Sequence, residues 1–372
     1  MSATIVFETA TIADSIKKAA RIAPAKSGHA FDKASGIVFD IYPGEDVSCV
    51  LRSTNLNAFY SEVVASVSAE GSATRWRLPA QLLAGVVGTL PIGSGKQVKF
   101  EQDGSKVKIT SGRMKATMML ADPEYYPSWE MFDGTSMTLV PGLGGRIAQV
   151  EWAASPHNDP PLCGVYLDGE WAIATDRYRL ARVPCRIALP KPIVIPSGIL
   201  GQSLRQMGDT GVAIGGQMLH LAPDDYTQLQ TVIYDVEYPP VSRVMVTDYP
   251  QKVTLRKAAV LDVLNRANNF AGADRAPMLR IYVGRGEFAP FMMNEEIGLL
   301  GDVLDCPGEA DHNRIELKFT PKNLIDAISN APNDTVALAY DNEKPNRPVY
   351  LDGGSGYEAW VVPRQEKRPE VE

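Results

Sequence analysis

The chain repeats one local pattern three times: a β-rich run, a proline, and then apolar residues at helical spacing. The copies read WRLPAQLLAGVVGTL, VIPSGILGQSLRQM and KFTPKNLIDAISNA, with Pro79, Pro196 and Pro321 lying 117 and 125 residues apart. Apolar residues follow each proline at three and four positions and return at seven or eight, which places them on one helix face. Proline suits a first helical turn because its missing N–H would be unpaired there. Three such helices at nearly constant spacing indicate a repeated domain.

A second helical pattern and a closing landmark complete each repeat. The helical pattern precedes each proline and reads TIADSIKKAARIA, LGGRIAQVEWAAS and LRKAAVLDVLNRANNF. Each repeat closes on a strand-like run that ends before Pro127, Pro239 or Pro363. The 31 glycines and 27 prolines favour many short strands. The sequence therefore predicts three α+β domains, at 1–130, 131–250 and 251–372, the last with a charged tail over 364–372.

Composition excludes several classes of protein. Apolar residues make up 45% of the chain and charged residues 22%, which is typical of a soluble globular protein. No apolar run reaches the roughly 18 residues that a membrane span needs, and the N-terminus lacks the pattern of a signal peptide. The four cysteines form no CxxC pair, which favours reduced thiols in a cytoplasmic protein. A net charge of −7 and a pI near 5.3 argue against one broad basic DNA-binding face.

Signatures of catalysis are weak. The four histidines are widely separated, and no HExxH spacing occurs. The GSGK stretch at 93–96 is not a phosphate-binding loop, because Leu90 replaces the required first glycine and Gln97 the required Ser or Thr. We therefore predict no catalytic residue, no metal and no cofactor. An enzyme whose site is assembled from distant carboxylates remains an alternative.

Motifs in all three repeats, in the right order, carry a resemblance to a known family. The second repeat contains ATDRYRLA at 174–181 and YPPVSRV at 238–244. The first contains SGRMKATMMLADPEYYP at 111–127, and the third contains LKFTPKNLIDAI at 317–328 and AWVVP at 359–363. Together they resemble the bacterial DNA polymerase III beta subunit, the sliding clamp. The chain is identified as a divergent member of that family. The divergence of its pocket motif suggests a virus-encoded copy.

The resemblance implies a fold and a function. It implies the α+β DNA clamp fold, in which three repeated domains each pack two helices on antiparallel sheets. Two protomers would close head to tail into a ring whose helices face duplex DNA, bound without sequence preference. The protein would be a non-catalytic processivity factor that tethers the replicative DNA polymerase, in the cytoplasm or, for a viral copy, the host cytoplasm. The alternative is a non-replicative three-repeat ring or a viral structural protein.

Charge counting agrees with a positive channel. The six candidate helices, at 12–23, 80–90, 143–154, 197–207, 255–270 and 321–330, sum to +5, so the rest of the chain carries −12. Encirclement retains DNA without tight phosphate contacts, so a weakly positive lining is enough. The predicted DNA-facing residues are Lys17, Lys18, Arg21, Lys26, Arg205, Arg256, Lys257 and Arg266. Solvated helix faces that happen to be rich in Lys and Arg are the alternative.

The resemblance also implies a pocket for short linear peptides of the polymerase and the clamp loader. An apolar floor with polar groups at the rim is usual for such grooves. Within it, Leu180 and Val244 would anchor the peptide, and Arg179 and Arg243 would pair with its acidic or carbonyl groups. The full set carried over by motif is Leu162, Thr175, Arg177, Tyr178, Arg179, Leu180, Pro239, Arg243, Val244, Val361, Val362 and Pro363.

Two departures from the family pattern carry expectations of their own. Arg177 and Tyr178 replace the family's Gly-His pair, so the turn there is expected to differ, since glycine often supplies a positive φ. The matched dimer-interface positions are Ala116 and Met118 against Asn269 and Phe270. Ala116 and Asn269 are smaller or more polar than the usual partners, so a weaker interface is expected.

Overall fold

The computed structural model describes residues 3–24, 34–45, 48–132, 137–157, 159–198, 208–272, 277–294 and 298–365. The chain forms two compact units. The first comprises Met1–Gly145 with Ile199–Ile233, and the second Arg146–Gly198 with Tyr234–Glu372. Among the described residues, no helix has the length and apolar character needed to span a membrane.

The helices begin and end close to the predicted positions. They are α1 (Thr9–Ile22), α2 (Ala80–Val87), α3 (Leu143–Val150), α4 (Lys257–Phe270) and α5 (Pro321–Ser329), with a 3-10 turn at Glu151–Ala153 after α3. The predicted helix at 197–207 lies mostly outside the described residues. α1 buries the predicted stripe of Ile12, Ile16 and Ala19 and is followed by Pro24, which cannot continue a helix. α5 starts with Pro321 in its first turn, whereas Pro79 lies just before α2.

The strands of the described residues form four antiparallel sheets. In chain order they are β1 (Thr4–Glu8), β2 (Ile37–Ile41), β3 (Cys49–Thr54), β4 (Ala58–Val63), β5 (Ser68–Glu70), β6 (Thr74–Leu78), β7 (Gln97–Asp103), β8 (Lys106–Ser111), β9 (Met114–Met119), β10 (Thr138–Val140), β11 (Gly164–Leu167), β12 (Trp171–Thr175), β13 (Arg179–Pro184), β14 (Ile193–Pro196), β15 (Thr210–Gly215), β16 (Met218–Ala222), β17 (Thr227–Val232), β18 (Gln251–Arg256), β19 (Leu279–Gly284), β20 (Glu287–Asn294), β21 (Gly298–Gly301), β22 (Leu304–Asp305), β23 (Ile315–Phe319), β24 (Thr335–Tyr340), β25 (Val349–Gly354) and β26 (Tyr357–Val361).

Each unit contains one large and one small sheet. The first unit has an eight-stranded sheet in the order β10-β15-β16-β17-β4-β3-β2-β6 and a five-stranded sheet in the order β5-β1-β7-β8-β9. The second has an eight-stranded sheet in the order β14-β11-β12-β13-β26-β25-β24-β18 and a smaller sheet in the order β21-β20-β19-β23, with β22 paired to β20.

Both eight-stranded sheets join strands of two successive sequence repeats. β4 of the first repeat pairs with β17 of the second, and β13 of the second pairs with β26 of the third. Shared sheets explain why the two compact units divide the middle repeat between them. The three-domain division stays a prediction from the sequence.

Helices pack on the sheets within each unit and cover a large apolar core. In the first unit α1 packs on α2, over a cluster in which Phe7 and Phe39 lie 5.9 Å and 5.8 Å from Phe100, centroid to centroid. In the second unit α4 packs on α5, and Leu264 and Ile328 are fully buried. Burying a leucine or isoleucine side chain contributes roughly 1.5 to 3 kcal/mol, so these interfaces hold the helices in place.

Candidate partner-binding pocket

A cavity of about 600 Å³ opens in the second unit, next to the turn between β12 and β13. Four separate chain segments meet there: residues 161–162, the β12–β13 hairpin, the segment at 237–244, and the end of β26. The lining residues are Pro161, Leu162, Thr175, Arg177, Arg179, Leu180, Glu237, Tyr238, Pro239, Pro240, Val241, Val244, Trp360 and Val362. Most are apolar, so the cavity suits an apolar side chain better than a polar metabolite.

The floor of the cavity is held in place by several contacts. Leu180 on β13 lies directly opposite Trp360 on β26, and both are buried. The indole Nε1 of Trp360 donates a hydrogen bond to the Val246 carbonyl at 2.7 Å, which fixes the ring against the chain that follows residue 244. Tyr238 stacks on Tyr166 with ring centroids 4.7 Å apart. A floor held by strand pairing, stacking and a hydrogen bond is preorganised, which lowers the entropy cost of binding.

Tyr238 also supplies a polar point in this floor. Its side chain is only 8% exposed, and its hydroxyl has no hydrogen-bond partner among the described residues. Burial raises the pKa of Tyr238 above its ordinary value, so the hydroxyl stays protonated at neutral pH. A bound segment could therefore find both an apolar surface and one hydrogen-bonding group here.

The turn at 175–179 shapes the rim. Arg177 takes a φ of +79°, in the left-handed region that glycine usually occupies. The Asp176 carboxylate accepts hydrogen bonds from the backbone N–H groups of Tyr178 and Arg179, and the Thr175 hydroxyl donates to the Arg179 carbonyl at 2.7 Å. These contacts hold an arginine in a conformation that glycine adopts more easily. The expected difference from the family's turn stays a prediction.

Arg179 is committed to internal partners. Its guanidinium donates to Asp176 at 3.0 Å and to Asp326 of α5 at 2.8 Å, and it lies 5.3 Å from the Trp152 ring centroid. All three charged side chains are less than one-fifth exposed. The predicted pairing of Arg179 with a partner's acidic group would compete with these contacts. Arg179 therefore lines the cavity wall and connects β13 to α5.

Eight of the twelve predicted pocket residues line the cavity: Leu162, Thr175, Arg177, Arg179, Leu180, Pro239, Val244 and Val362. Val361 and Pro363 do not, because successive strand residues point to opposite faces and Trp360 and Val362 take the cavity side. Tyr178 and Arg243 are exposed outside the lining. The sequence argument missed Pro161, Glu237, Tyr238, Pro240, Val241 and Trp360. Two signals could have found most of them. The alternation of side chains along β26 puts Trp360 on the same face as Val362, and Glu237, Tyr238, Pro240 and Val241 are close neighbours of Pro239 in the sequence.

The predicted DNA-facing residues fall into two groups. Lys17 and Arg256 are exposed, whereas Arg21 is half-buried and makes a contact of its own. The other three described residues have partners: Lys18 pairs with Asp14 at 2.7 Å and Glu62 at 3.6 Å, the Lys257 ammonium donates to the Ala331 carbonyl at 2.6 Å, and Arg266 pairs with Asp262 and Asp302. Lys26 and Arg205 lie outside the described residues.

Lys18 illustrates the difference between these groups. Burial works against its charge, but the hydrogen bond to Asp14 and the nearby Glu62 carboxylate raise the pKa of Lys18 above its ordinary value. The ammonium therefore stays charged and is neutralised locally. A lysine with two carboxylate neighbours adds little positive potential for DNA.

The predicted interface residues lie at an open sheet edge and at a helix end. Ala116 and Met118 belong to β9, the edge strand of the five-stranded sheet; Ala116 is half-buried and Met118 is 5% exposed. Asn269 and Phe270 end α4, where Asn269 is exposed and Phe270 is half-buried. Within the described parts of the chain, no group of three His, Cys, Asp or Glu residues is placed to hold a metal.

Comparison with solved structures shows the fold. The chain is similar to the DNA polymerase III beta subunit of Thermotoga maritima, with a TM-score of 0.78, 17% identity, and coverage of 98% of this chain and 100% of that one. It is also similar to the DNA polymerase sliding clamp of Bacillus subtilis (TM-score 0.74, 16% identity, 99% and 100% covered). A DnaN sliding clamp from Pseudomonas aeruginosa, bound to griselimycin, gives a TM-score of 0.74 at 16% identity, with 98% and 100% covered.

No sequence-family model matches the chain, and no curated protein matches it. The structural similarity nevertheless covers almost the whole of both chains. The protein therefore has the sliding-clamp fold, and the fold expected from the sequence motifs is confirmed.

Proposed function

We propose that the protein is a DNA sliding clamp, a non-catalytic processivity factor that encircles duplex DNA and tethers a replicative DNA polymerase to it. The observation that carries the proposal is the sliding-clamp fold over 98% of the chain. Its site of action is the cytoplasm, or the host cytoplasm if the protein is virus-encoded, where the replicating DNA lies.

The proposed mechanism is retention by topology. Two copies close head to tail around the duplex, so that the protein leaves DNA only at a free end or by opening. Contacts to phosphate are then weak and sequence-independent, which keeps sliding fast. Lys17 and Arg256, exposed on α1 and just before α4, are the proposed contacts with the backbone.

Partners dock in the pocket of the second unit through short linear peptides. Leu180, Trp360 and Val241 offer an apolar floor to a leucine- or phenylalanine-sized side chain. The exposed rim carries Arg177 and Glu237, which select for charges next to that anchor. The polymerase and the clamp loader would use the same pocket in turn, because one cavity of this size accepts one anchor at a time.

Retention on circular and linear DNA tests the proposal. The labelled protein is loaded onto a nicked circular plasmid by a clamp loader and passed through a gel-filtration column. We expect co-elution with the circle and loss after a single restriction cut. Equal retention on both forms would overturn the proposal and indicate ordinary surface binding.

A second experiment tests the pocket by itself. Val244→Glu places a charge at a half-open apolar wall, since Val244 is 38% exposed and can be replaced without opening the core. We expect at least tenfold weaker binding of labelled peptides tiled across the cognate polymerase, because one leucine-sized anchor contributes roughly 1.5 to 3 kcal/mol. Tyr178→Glu, exposed and outside the lining, is the matched control and should leave affinity unchanged. Equal affinity for all three proteins would rule out the pocket.

A further inference from the structure

The first unit repeats the arrangement of chain that surrounds the pocket of the second unit. In the second unit the pocket lies beside the β12–β13 hairpin, the chain around Tyr238-Pro239 and the end of β26. In the first unit β4 of the β3–β4 hairpin pairs with β17, as β13 pairs with β26, and Tyr126-Pro127 corresponds to Tyr238-Pro239. The chain therefore contains two corresponding positions for a pocket, one of which is the open cavity.

The turns of the two hairpins share their hydrogen bonds and their backbone conformation. The Thr54 hydroxyl donates to the Ala58 carbonyl at 2.7 Å, the same bond at the same distance as in the turn at 175–179. It also accepts the backbone N–H of Leu56, whose φ of +75° matches the +79° of Arg177. The two hairpins can therefore be aligned residue by residue.

The alignment pairs the residues of the two floors. Phe59 and Leu180 are each the second residue of the strand that follows the turn, so they occupy the same position. Gln230 of β17 faces Phe59, and Trp360 of β26 faces Leu180. The first unit thus has a smaller, polar side chain where the second unit has an indole in its floor.

The chain after each Tyr-Pro pair differs in the size of one side chain. Trp129 lies three residues after Tyr126, and Val241 lies three residues after Tyr238. Val241 is half-buried, packs against the apolar floor of the second unit and lines its cavity. The first unit therefore carries an indole at the position where the second unit has an isopropyl group beside open space.

The contacts of Trp129 are those of a well-bound ligand. Its ring lies 5.2 Å from Phe59 and 6.3 Å from Tyr126, centroid to centroid. The indole Nε1 donates a hydrogen bond to the Ser61 hydroxyl at 2.9 Å, and the Arg52 guanidinium lies 5.5 Å from the ring centroid. Aromatic packing, a hydrogen bond to the N–H and a cation near the ring satisfy both the apolar and the polar parts of the indole.

The chain that carries Trp129 is bonded to the same sheet. Gln230 Nε2 donates to the Glu130 carbonyl at 2.7 Å. The Gln228 side chain donates to the Phe132 carbonyl at 2.6 Å and accepts the Phe132 backbone N–H at 2.7 Å. An incoming peptide would have to break these bonds to reach the position of the indole, whereas the open cavity of the second unit requires no such step.

We propose that the first unit holds a second copy of the partner pocket, and that Trp129 occupies it as an intramolecular ligand. The inference rests on the proposed function, which makes the cavity of the second unit a site for partner peptides. Trp129 is then the residue that limits each chain to one partner site. Val241, at the matching position, leaves room for an apolar or aromatic side chain of the partner.

A small aromatic probe tests the occupied site directly. Trp129→Ala removes the indole, and 3-methylindole, the side chain of tryptophan as a free molecule, should bind in its place, as small aromatic molecules bind in engineered apolar cavities. We expect 3-methylindole to raise the Tm of Trp129→Ala more than that of the parent protein. Phe132→Ala removes a ring from the same segment, where it stacks on His220, and is the matched control. Equal stabilisation of the two variants would overturn the proposal.

The reciprocal substitution tests the correspondence between the two units. Val241→Trp places an indole in the open pocket and should weaken binding of peptides tiled across the cognate polymerase at least about tenfold, since it displaces one apolar anchor. Val241→Ala keeps the side chain small and should retain the parent affinity. Parent affinity in Val241→Trp would overturn the correspondence, and this holds even if Trp129→Ala does not fold.

Peptide stoichiometry separates this inference from the proposed function. Titration calorimetry should give one peptide per parent chain and a second, weaker equivalent for folded Trp129→Ala, because Gln230 offers less apolar surface than Trp360. A ratio that stays at one would overturn the second pocket and leave the clamp function intact. A parent protein that binds no peptide would overturn the proposed partner pocket, whereas selective stabilisation of Trp129→Ala by 3-methylindole would still support the internal occupation.

Discussion

At the scale of single residues, Arg177 occupies a backbone conformation that side chains with a Cβ atom avoid. A residue other than glycine in this conformation destabilises the folded protein by about 1 to 2 kcal/mol. Replacing it with glycine removes that strain but also makes the unfolded chain more flexible, which offsets part of the gain in stability. We expect Arg177→Gly to stabilise the protein by roughly 0.5 to 1 kcal/mol, measured as a rise in Tm. Tyr178→Gly, in the same turn but without a positive φ, is the control and should lower Tm. A fall in Tm for both variants would show that the turn is not strained.

His220 makes stability depend on pH. It is 9% exposed, stacks on Phe132 at 4.5 Å between centroids, and leaves Nδ1 without a partner among the described residues. Burial lowers the pKa of His220 below its ordinary value of 6.5. The unfolded chain therefore binds more protons than the folded chain just below pH 6.5, so the free energy of unfolding falls as pH drops through that range.

The corresponding prediction is a loss of this pH dependence in His220→Gln. Urea unfolding between pH 7 and pH 5 should show a shallower decline for the variant than for the parent protein. His157→Gln removes an exposed histidine and serves as the control, with the decline unchanged. Parallel curves for the parent and His220→Gln would contradict the assignment.

At the scale of secondary-structure elements, Arg179 connects β13 to α5 through two half-buried carboxylates. Removing the Arg179 side chain takes away the positive charge that neutralises the carboxylates of both Asp176 and Asp326. Breaking such a pair by removing one partner costs about 3 to 5 kcal/mol. We expect the free energy of unfolding of Arg179→Ala, measured with urea, to be lower by an amount of that order. Arg177→Ala is the control, because the Arg177–Asp159 contact is 3.7 Å long and exposed, and such pairs contribute about 0 to 1 kcal/mol.

The exposed face of α1 gives a prediction about DNA. Lys17 is exposed, whereas Lys18, the next residue, is paired with Asp14 and Glu62. Loss of one phosphate contact reduces the slope of log affinity against log salt by about 0.9. We expect that reduction for Lys17→Ala, measured as retention on circular duplex DNA over a salt series, and little change for Lys18→Ala. The reverse order would mean that the ion pairs of Lys18 open when DNA is present.

The same elements show what a sequence can and cannot predict. Periodicity predicted the five described helices because apolar spacing follows directly from helix geometry. It did not resolve which of two adjacent apolar residues is buried: Leu83 is fully buried and Leu82 is 59% exposed. In the pocket, motifs predicted the wall at 175–180 but not Tyr238 or Trp360 as floor. Ion pairs between residues far apart in the sequence, such as Arg179 and Asp326, produce no local sequence pattern, so the sequence could not predict that Arg179 pairs internally.

At the scale of the whole molecule, the net charge of −7 is unevenly distributed, and two segments of the chain carry opposite charge. Segment 96–119 is basic and segment 287–311 is acidic, so in the proposed head-to-tail dimer the basic segment of one copy would attract the acidic segment of the other. Electrostatic steering of this kind raises the association rate and is screened by salt, with a Debye length of about 10 Å at 0.1 M. We therefore expect the proposed dimer to form more slowly as salt increases.

This prediction can be measured on mixed donor- and acceptor-labelled protein. The association rate from energy transfer should fall between 50 mM and 500 mM salt, while the dissociation rate should change less, because salt screens long-range attraction more than short-range contacts. Lys106→Glu, an exposed substitution on β8 next to β9, should reduce both the rate and its salt dependence. Lys252→Glu makes the same charge change on β18, in a different sheet, and should have a smaller effect. An association rate that is independent of salt would contradict this prediction, because the charges of the two segments would then not guide closure of the dimer.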